Sequence, residues 1–283
     1  MSNNSGKLYV VATPIGNLAD FSARGVTVLT QVDLIAAEDT RHVRMLLGHY
    51  GISNKLVSLH QHNEQKASGT LLEKLRQGLS IALVSDAGTP LLSDPGMPLV
   101  KMAREAGIEV SPVPGACALI AALSVAGLPV SRFLFEGFLP RTGAARRAFF
   151  QERRDWQLTW VFYESSHRIL AAIEDMAAVL PTDRSIVIAR EMTKLHETVV
   201  KDSLEKVLDL LRQDANMRKG EFVVIVSAAK AVLNKAAISA EQEKILAILL
   251  RECSVRTAAA LASEITGARK KDLYRTALAM RKE

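Results

Sequence analysis

The fold of this chain is decided by the stretch Leu83-Val84-Ser85-Asp86-Ala87-Gly88-Thr89-Pro90-Leu91-Leu92-Ser93-Asp94-Pro95-Gly96. It begins inside an apolar run of the buried-strand type at residues 81–84, and a helical pattern follows it at residues 97–106. The polar segment between them is longer than the roughly two to six residues that usually connect a strand to a helix. Because strand-exit loops form the ligand crevice of an open parallel sheet, the stretch predicts a binding loop. An ordinary strand-to-helix connection is the alternative.

Strand and helix patterns alternate strictly around this loop. Besides the strand at residues 81–84, strands are predicted at residues 7–13, 33–37, 55–59 and 109–113, with helical patterns between them. Strict alternation favours parallel strands joined by crossover helices. The sequence therefore predicts five parallel strands, and Pro114-Gly115 leads from the last strand into an apolar helix at residues 116–126.

A second series of strands follows, and a purely helical section ends the chain. The strands are predicted at residues 133–137, 158–163, 185–189 and 222–226, with a hairpin partner at 197–200, so the second sheet should be mixed. Helices are predicted at residues 239–252, 254–266 and 268–282, and Ser254 and Gly267 have the residue types of a helix cap and a helix stop. This is the helix-turn-helix pattern. We therefore predict an α/β protein with two α/β lobes, residues 1–130 and 131–229, and a helix-turn-helix tail, residues 238–283.

The positive charge is concentrated in that tail. The chain has a formal net charge of +6, and from Lys230 to Glu283 there are 11 lysines and arginines against 6 acidic residues. A basic excess confined to one segment favours a polyanionic partner, most often nucleic acid, over a solvated lysine-rich surface. Arg269, Lys270, Lys271 and Arg275 lie on the last predicted helix, which we expect to contact phosphates. The alternative is that the helices of the tail form a small bundle that only caps the second lobe.

Several protein classes lack their usual signatures here. The longest apolar run, residues 116–130, is interrupted by serine, glycine and proline, so we expect no membrane segment and a cytoplasmic protein. Two cysteines, Cys117 and Cys253, are too few for a disulfide framework. Nucleotide-binding glycine motifs are absent. His60 and His62 have no further placed ligands near them, so we predict no metal site.

Six motifs in combination resemble the tetrapyrrole methylase family, and within it the branch that acts on RNA. They are Thr13 to Asp20, Ala37 to His42, Ser85 to Gly96, Phe162 to Arg168, Arg190 to Lys194, and Lys219 to Glu221. The resemblance covers essentially the whole chain. It implies S-adenosylmethionine as methyl donor and the ribose 2′-oxygen of a cytidine in the decoding region of 16S rRNA as acceptor. It also implies that the donor binds between two lobes, that the partner is 16S rRNA or the small ribosomal subunit, and that the protein is a homodimer.

The resemblance also implies which residues bind the donor. The expected contacts lie on strand-exit loops and are Pro14, Gly16, Asn17, Ser85, Asp86, Ala87, Gly88, Thr89, Asp94, Pro114, Gly115, Cys117, Tyr163 and Glu164. Where the family has a Thr-Ser pair after the fifth strand, this chain has Ala116-Cys117 without a hydroxyl. We therefore expect the donor to be held more by main chain than by side chains.

Charged residues at the strand ends supply the candidates for catalysis and RNA binding. A ribose hydroxyl is a weak acid, so a general base or a cation that favours the alkoxide would assist methyl transfer. The catalytic candidates are Glu38, Asp39, Arg190, Glu191, Lys194, Lys219 and Glu221, with Lys219 or Glu221 as the base. The RNA-binding candidates outside the tail are Arg41, His42, Arg141, Arg146, Arg147 and Arg168. Ion pairs between the lobes are the alternative for several of these charges, and an exposed amphipathic helix is the alternative for Arg146 and Arg147.

Two other functions fit parts of this pattern. A methylase of a small porphyrin-like molecule would share the two lobes but has no evident need for a basic tail, so deletion of the tail discriminates. An RNA-binding protein without enzymatic activity would need no donor pocket, so calorimetry with S-adenosylmethionine discriminates.

Overall fold

The structure is a computed structural model that describes residues 6–230 and 238–281. The chain forms two compact units, the first ending at Ala229 and the second beginning at Lys230. The first unit contains both sheets. The division of this unit into lobes at residue 130 stays a prediction.

The first sheet is entirely parallel, as predicted. Its strands are β1 (Lys7–Val11), β2 (Leu34–Ala37), β3 (Leu56–Ser58), β4 (Ile81–Val84) and β5 (Glu109–Val113). The strand order is β3-β2-β4-β1-β5. The helices are α1 (Ala23–Gln31), α2 (Thr40–His49), α3 (Glu64–Arg76), α4 (Met97–Glu105) and α5 (Ala118–Val125). Since all five strands run the same way, their exit loops meet at one edge of the sheet.

The second sheet is mixed, as predicted. Its strands are β6 (Phe133–Phe138), β7 (Thr159–Ser165), β8 (Ser185–Arg190), β9 (Thr198–Ser203) and β10 (Glu221–Val226), in the order β6-β7-β10-β8-β9. β6 and β7 are parallel, whereas the other neighbouring pairs are antiparallel. The accompanying helices are α6 (Gly143–Glu152), α7 (Ile169–Ala177) and α8 (Leu204–Gln213). On one face of the sheet Trp160 and Phe162 stack with their ring centroids 5.6 Å apart, against Phe150.

Helix α5 joins the two sheets. It follows β5 of the first sheet, yet Leu119, Ala122 and Leu123 pack against Val161 and Ile225 of the second. The burial of the two leucines contributes roughly 2 kcal/mol each. The predicted start at residue 116 is wrong by two positions because Cys117, the N-cap, keeps an extended backbone. The apolar composition of this helix therefore reflects an interface between the two sheets.

A short 3₁₀ turn, Leu18–Asp20, precedes α1, so Asp20 does not cap that helix. Ser22 caps α1 instead, its hydroxyl accepting from the amide of Gly25 at 3.0 Å. The extra turn lengthens the exit loop of β1.

The second unit is a small helical domain of α9 (Ala240–Glu252), α10 (Val255–Thr266) and α11 (Lys270–Met280). Alanines 258, 259 and 262 of α10 pack with Leu246 and Leu273, and such small side chains let helices approach closely. Ser254 caps α10 and Gly267, with φ +70°, ends it, as predicted. None of the helices in the described ranges is long and apolar enough to cross a membrane.

Candidate active site

The exit loops of β1, β4 and β5 are tied together at one edge of the first sheet. Thr13 and Gly88 exchange two backbone hydrogen bonds, with N···O distances of 2.9 and 3.1 Å. The hydroxyl of Thr89 donates to the carbonyl of Ala116 at 3.1 Å. A Cβ added to Gly88, whose φ is +82°, would lie 3.1 Å from a methyl carbon of Ile15. Glycine therefore lets these loops form one continuous wall.

A cleft of about 410 Å³ opens beside this wall and is lined from both sheets. Ten of the predicted site residues line it: Glu38, Asp86, Ala87, Gly88, Thr89, Asp94, Cys117, Tyr163, Glu164 and Glu221. The other lining residues were not named as site candidates, although five of them lie within the quoted motifs; they are Ile15, Leu92, Ser93, Ala118, Phe138, Ser165, Ala189, Met192, Phe222 and Val223. The volume and the mixed lining are typical of a small-molecule site.

Three carboxylates give the first-sheet side of the cleft its chemistry. Burial, and then the charges of Asp94 and Asp86, raise the pKa of Glu38 to about 7. Burial raises the pKa of Asp94 to about 6, although a hydrogen bond with Ser85 opposes the shift. Asp86 also accepts a hydrogen bond from the amide of Asp39 at 2.9 Å. Crowded, partly desolvated carboxylates of this kind are complementary to a cation.

The second-sheet side of the cleft is aromatic and contains one buried acid. The ring of Tyr163 lies edge-on to Phe135 and Phe138, with centroids 4.9 and 5.7 Å away, and burial raises the pKa of its hydroxyl to about 12. Glu164 is buried, which raises its pKa, and its carboxylate accepts from the amide of Ser165 and pairs with Arg168 at 3.2 Å. This side supplies an apolar surface with polar groups at fixed positions.

Six of the predicted donor contacts do not line the cleft: Pro14, Gly16, Asn17, Ser85, Pro114 and Gly115. The structure shows that several of them shape the loops. A Cβ on Gly16 would lie 2.4 Å from Cγ of Lys194, and a Cβ on Gly115 would lie 3.0 Å from Cβ of Ala12. Asn17 caps the short 3₁₀ turn.

Asp39 was predicted as a catalytic candidate, but its carboxylate caps the N-terminus of helix α2. It accepts from the amide of Arg41 at 2.8 Å and pairs with the Arg41 guanidinium at 2.7 Å. These hydrogen bonds lower the pKa of Asp39 to about 2. The Arg41 side chain is 86% exposed and His42 is exposed, so both can still reach RNA.

The charged residues predicted on the second sheet do not all converge on the cleft. Lys194 donates to Glu191 at 2.9 Å and to Glu221 at 3.0 Å, and Glu191 also accepts from the amide of Glu221 at 3.0 Å. Of this cluster, Glu221 lines the cleft. Lys219 lies in a separate cavity, where its ammonium donates to Asn216 at 2.9 Å. Of the two residues that we predicted as alternative bases, Glu221 therefore lines the cleft, whereas Lys219 lines the separate cavity.

Backbone strain marks the loops that border the cleft. Among the described residues, the non-glycine positions with positive φ are Leu91, Ser93, Glu191 and Thr193. They lie on the exit loops of β4 and β8. Such conformations cost of order 1–3 kcal/mol each and cluster at functional sites.

Three of the predicted RNA-binding arginines have structural partners instead. Arg146, which is buried, pairs with Asp175 at 2.7 Å, and Arg147 pairs with the same carboxylate at 2.5 Å. Arg168 donates to the carbonyls of Leu139 and Pro140 at 2.7 and 2.9 Å. These guanidiniums hold α6, α7 and the loop between β6 and α6 together. By contrast, Arg141 and the tail residues Arg269, Lys270 and Lys271 are exposed, and Arg275 is exposed while paired with Asp272 at 3.4 Å.

Comparison with known proteins agrees with this architecture. Residues 7–208 match the family described as Tetrapyrrole (Corrin/Porphyrin) Methylases, and residues 236–281 match the RsmI C-terminal HTH domain. The chain is 51% identical to "Ribosomal RNA small subunit methyltransferase I" of Escherichia coli O157:H7, over 98% of this chain and 96% of that protein. It is 49% identical to the protein of the same name from Haemophilus influenzae, over 99% of both chains.

Solved structures share the fold over more than three quarters of this chain at low identity. A diphthine synthase aligns with a TM-score of 0.59 and 18% identity, covering 79% of this chain and 90% of the other. A uroporphyrin-III C-methyltransferase from Thermus thermophilus, solved in complex with S-adenyl homocysteine, aligns with a TM-score of 0.51 and 16% identity, covering 78% and 97%. These matches confirm the predicted fold class.

Proposed function

Because the chain belongs to the ribosomal RNA small subunit methyltransferase I family, we propose that it transfers a methyl group from S-adenosylmethionine to the ribose 2′-oxygen of a cytidine in the decoding region of 16S rRNA. The family resemblance predicted from the sequence is confirmed by these relatives. The predicted cofactor is confirmed for the tetrapyrrole methylase family, which residues 7–208 match, and a uroporphyrin-III C-methyltransferase of similar fold is solved with S-adenyl homocysteine, the donor without its methyl group. The homodimer and the cytoplasmic location stay predictions.

The observation that carries this proposal is the acidic cleft. When bound, S-adenosylmethionine supplies a methyl group on a positively charged sulfur, and it also carries an ammonium group. Glu38, Asp86 and Asp94 line the cleft, and their crowding favours a cationic ligand. The aromatic surface around Tyr163 suits the apolar parts of such a molecule. The residues present therefore fit the donor.

We assign the proton-accepting role to Glu38. The ribose oxygen gains the methyl carbon and loses its proton, and a base is most effective when its pKa lies near the working pH. Glu38 lines the cleft and its pKa is about 7, raised by burial and by Asp94 and Asp86. Glu221 is the rival, but its carboxylate is paired with the Lys194 ammonium and its side chain is 81% exposed.

Alignment and exclusion of water are the other requirements of an in-line displacement. The wall formed by Thr13, Gly88 and Thr89 is held by hydrogen bonds between loops, and α5 fixes the second sheet against the first. The site is thus preorganised on two packed sheets rather than on one mobile segment. The match of residues 236–281 to the family's tail domain favours RNA over a porphyrin-like acceptor.

Nucleoside mass spectrometry tests the proposed reaction. 16S rRNA from cells with and without this protein is digested and compared, and purified protein with S-adenosylmethionine is then supplied to small subunits and to free 16S rRNA from the deficient cells. We expect loss of one 2′-O-methylated cytidine and its restoration by the protein. An unchanged set of modified nucleosides would contradict the proposal, and the two substrates show whether the assembled subunit is required.

A further inference from the structure

A second cavity, of about 460 Å³, lies beside the acidic cleft and has no role in the function proposed above. Arg190 forms part of its lining, with His196, Thr198, Asn216 and Lys219. Glu191 also borders this cavity, and its carboxylate accepts from the amide of Glu221, which lines the cleft. The cleft and the cavity therefore share a wall made of Glu191 and Glu221.

Arg190 is a buried cation whose hydrogen bonds, within the described residues, all go to neutral acceptors. Its side chain belongs to a residue that is only 7% exposed. The guanidinium donates to the carbonyl of Lys219 at 2.6 Å, to the carbonyl of His196 at 3.0 Å and to the hydroxyl of Thr198 at 3.3 Å, all neutral acceptors. Among the described residues no ion pair joins Arg190 to a carboxylate, although its charge helps to lower the pKa of Glu191. Buried charges are normally paired, so this arrangement points to an anionic ligand.

The remaining groups around the cavity also favour an anion. Lys219 and His196 are exposed at its rim, and Asn216 and Thr198 add neutral polar groups. Glu191 is the acid in the lining, against the two cations Arg190 and Lys219, and it shares the Lys194 ammonium with Glu221. Burial opposes its ionisation, but hydrogen bonds from Lys194 and from the amide of Glu221 hold its pKa below the ordinary value. The charge left for a ligand is therefore positive.

We propose that this cavity binds a backbone phosphate of the RNA, next to the ribose that enters the cleft. The proposal rests on the proposed function, because it takes the acceptor to be RNA. A planar guanidinium that lines a cavity suits a phosphate, and a lysine at the rim adds a second charge-assisted hydrogen bond. A ribose in the cleft would place a neighbouring phosphate at the shared wall, so the cavity would set the register of the strand.

Gly220 explains how the cleft and the cavity are kept apart. Its φ is +96°, and a Cβ there would lie 2.4 Å from Cγ of Glu191. The chain turns at this residue, so that Lys219 reaches the cavity and Glu221 reaches the cleft. The motif Lys219-Gly220-Glu221 thus divides an anion site from a cation site.

The salt dependence of RNA binding tests the proposal. Binding of a cytidine-containing, single-stranded oligoribonucleotide to the full-length protein is measured by fluorescence anisotropy over a series of potassium chloride concentrations. The two variants in the cavity are Lys219→Ala, at its exposed rim, and Arg190→Gln, which replaces its buried guanidinium. The control is Lys206→Ala. Lys206 lies on α8, its side chain is 70% exposed, and it pairs with Asp202.

We expect the slope of log affinity against log salt to become shallower by about 0.7 in Lys219→Ala and in Arg190→Gln, and to stay unchanged in Lys206→Ala. Equal slopes in Lys219→Ala, Lys206→Ala and the unmodified protein would overturn the proposal, even if Arg190→Gln failed to fold. Stabilisation by inorganic phosphate that depends on Lys219, with no change in RNA slope, would overturn the assignment to RNA and leave a free-phosphate site. Since RNA binding is measured rather than methyl transfer, failure of the proposed reaction does not affect this test.

Discussion

The acidic cleft and the cationic cavity differ in charge although they share a wall. Glu38, Asp86 and Asp94 give the cleft crowded negative charge, whereas Arg190 and Lys219 outnumber the one acid of the cavity, Glu191, and leave it positively charged. A cationic methyl donor and an anionic nucleic acid would be attracted to different places by this arrangement. The contrast indicates that charge alone would direct the donor to the cleft and the RNA backbone to the cavity.

The largest expected effect concerns the chemical step in the cleft. With saturating donor and RNA, Glu38→Gln should lower the single-turnover rate of methyl transfer by about 100-fold, since general base catalysis contributes at least that much. The rate of the unmodified protein should rise with pH through about 7, where Glu38 loses its proton, and the variant should lose this dependence.

Glu221→Gln is the matched comparison, because Glu221 lines the same cleft. A fall in rate that appears with Glu221→Gln and not with Glu38→Gln would transfer the role of the base to the second sheet.

The next largest effect concerns the basic residues of the helical tail, which we expect to form a second cationic surface for RNA. Replacing Arg269, Lys270 and Lys271 together by glutamine should lower RNA affinity by about tenfold or more at low salt. Each lost phosphate contact should reduce the salt slope by about 0.7–0.9. Calorimetric affinity for S-adenosylmethionine should not change, because these residues lie in the second unit and the acidic cleft is formed by the first. An unaltered salt slope would mean that the basic tail is only a solvated surface.

A smaller effect should distinguish the cleft as a cation site. Donor affinity should rise about three- to tenfold between about pH 5 and pH 8, since Asp94 and Glu38 ionise at about 6 and about 7 and only their charged forms attract a cation. Calorimetry on Asp94→Asn should show a weaker pH dependence. If donor affinity were independent of pH in the unmodified protein, Asp94 and Glu38 would not attract the cationic donor.

The smallest effect is on stability. The folded pKa of Glu38 is raised from an ordinary 4.5 to about 7, so its contribution to stability is fully present below pH 4.5 and is lost as the pH rises through 7. Glu38→Gln should therefore increase the free energy of unfolding at pH 8 by about 1 kcal/mol, after allowance for solvent screening, and by much less at pH 4.5. Urea unfolding at the two pH values measures this difference. Glu73→Gln, a surface control, should change stability by less than about 0.5 kcal/mol.

The sequence was sufficient to predict the loop after β4 because its chemistry is local. Asp86, Gly88 and Thr89 were found at the cleft because strand exits in a parallel sheet meet at one edge. The partners of Arg146 and Arg147 were missed because Asp175 lies on another helix and nothing in the local pattern marks it. Apolar lining residues such as Phe138 and Met192 were missed because their residue types equally suit a core. The sequence did not show that Lys219 and Glu221 line different cavities, since the turn at Gly220 depends on its backbone conformation.

The paired hydrogen bonds between Thr13 and Gly88 couple the movement of two loops that are distant in sequence. Neither loop can swing away from the cleft without breaking both bonds, so the two exit loops should open as one body. The amide protons of these two residues should then exchange with solvent deuterium at a common rate, set by a single opening event. A ligand seated in the cleft would slow both protons equally, which makes them a paired reporter of occupancy at a site that contains no tryptophan.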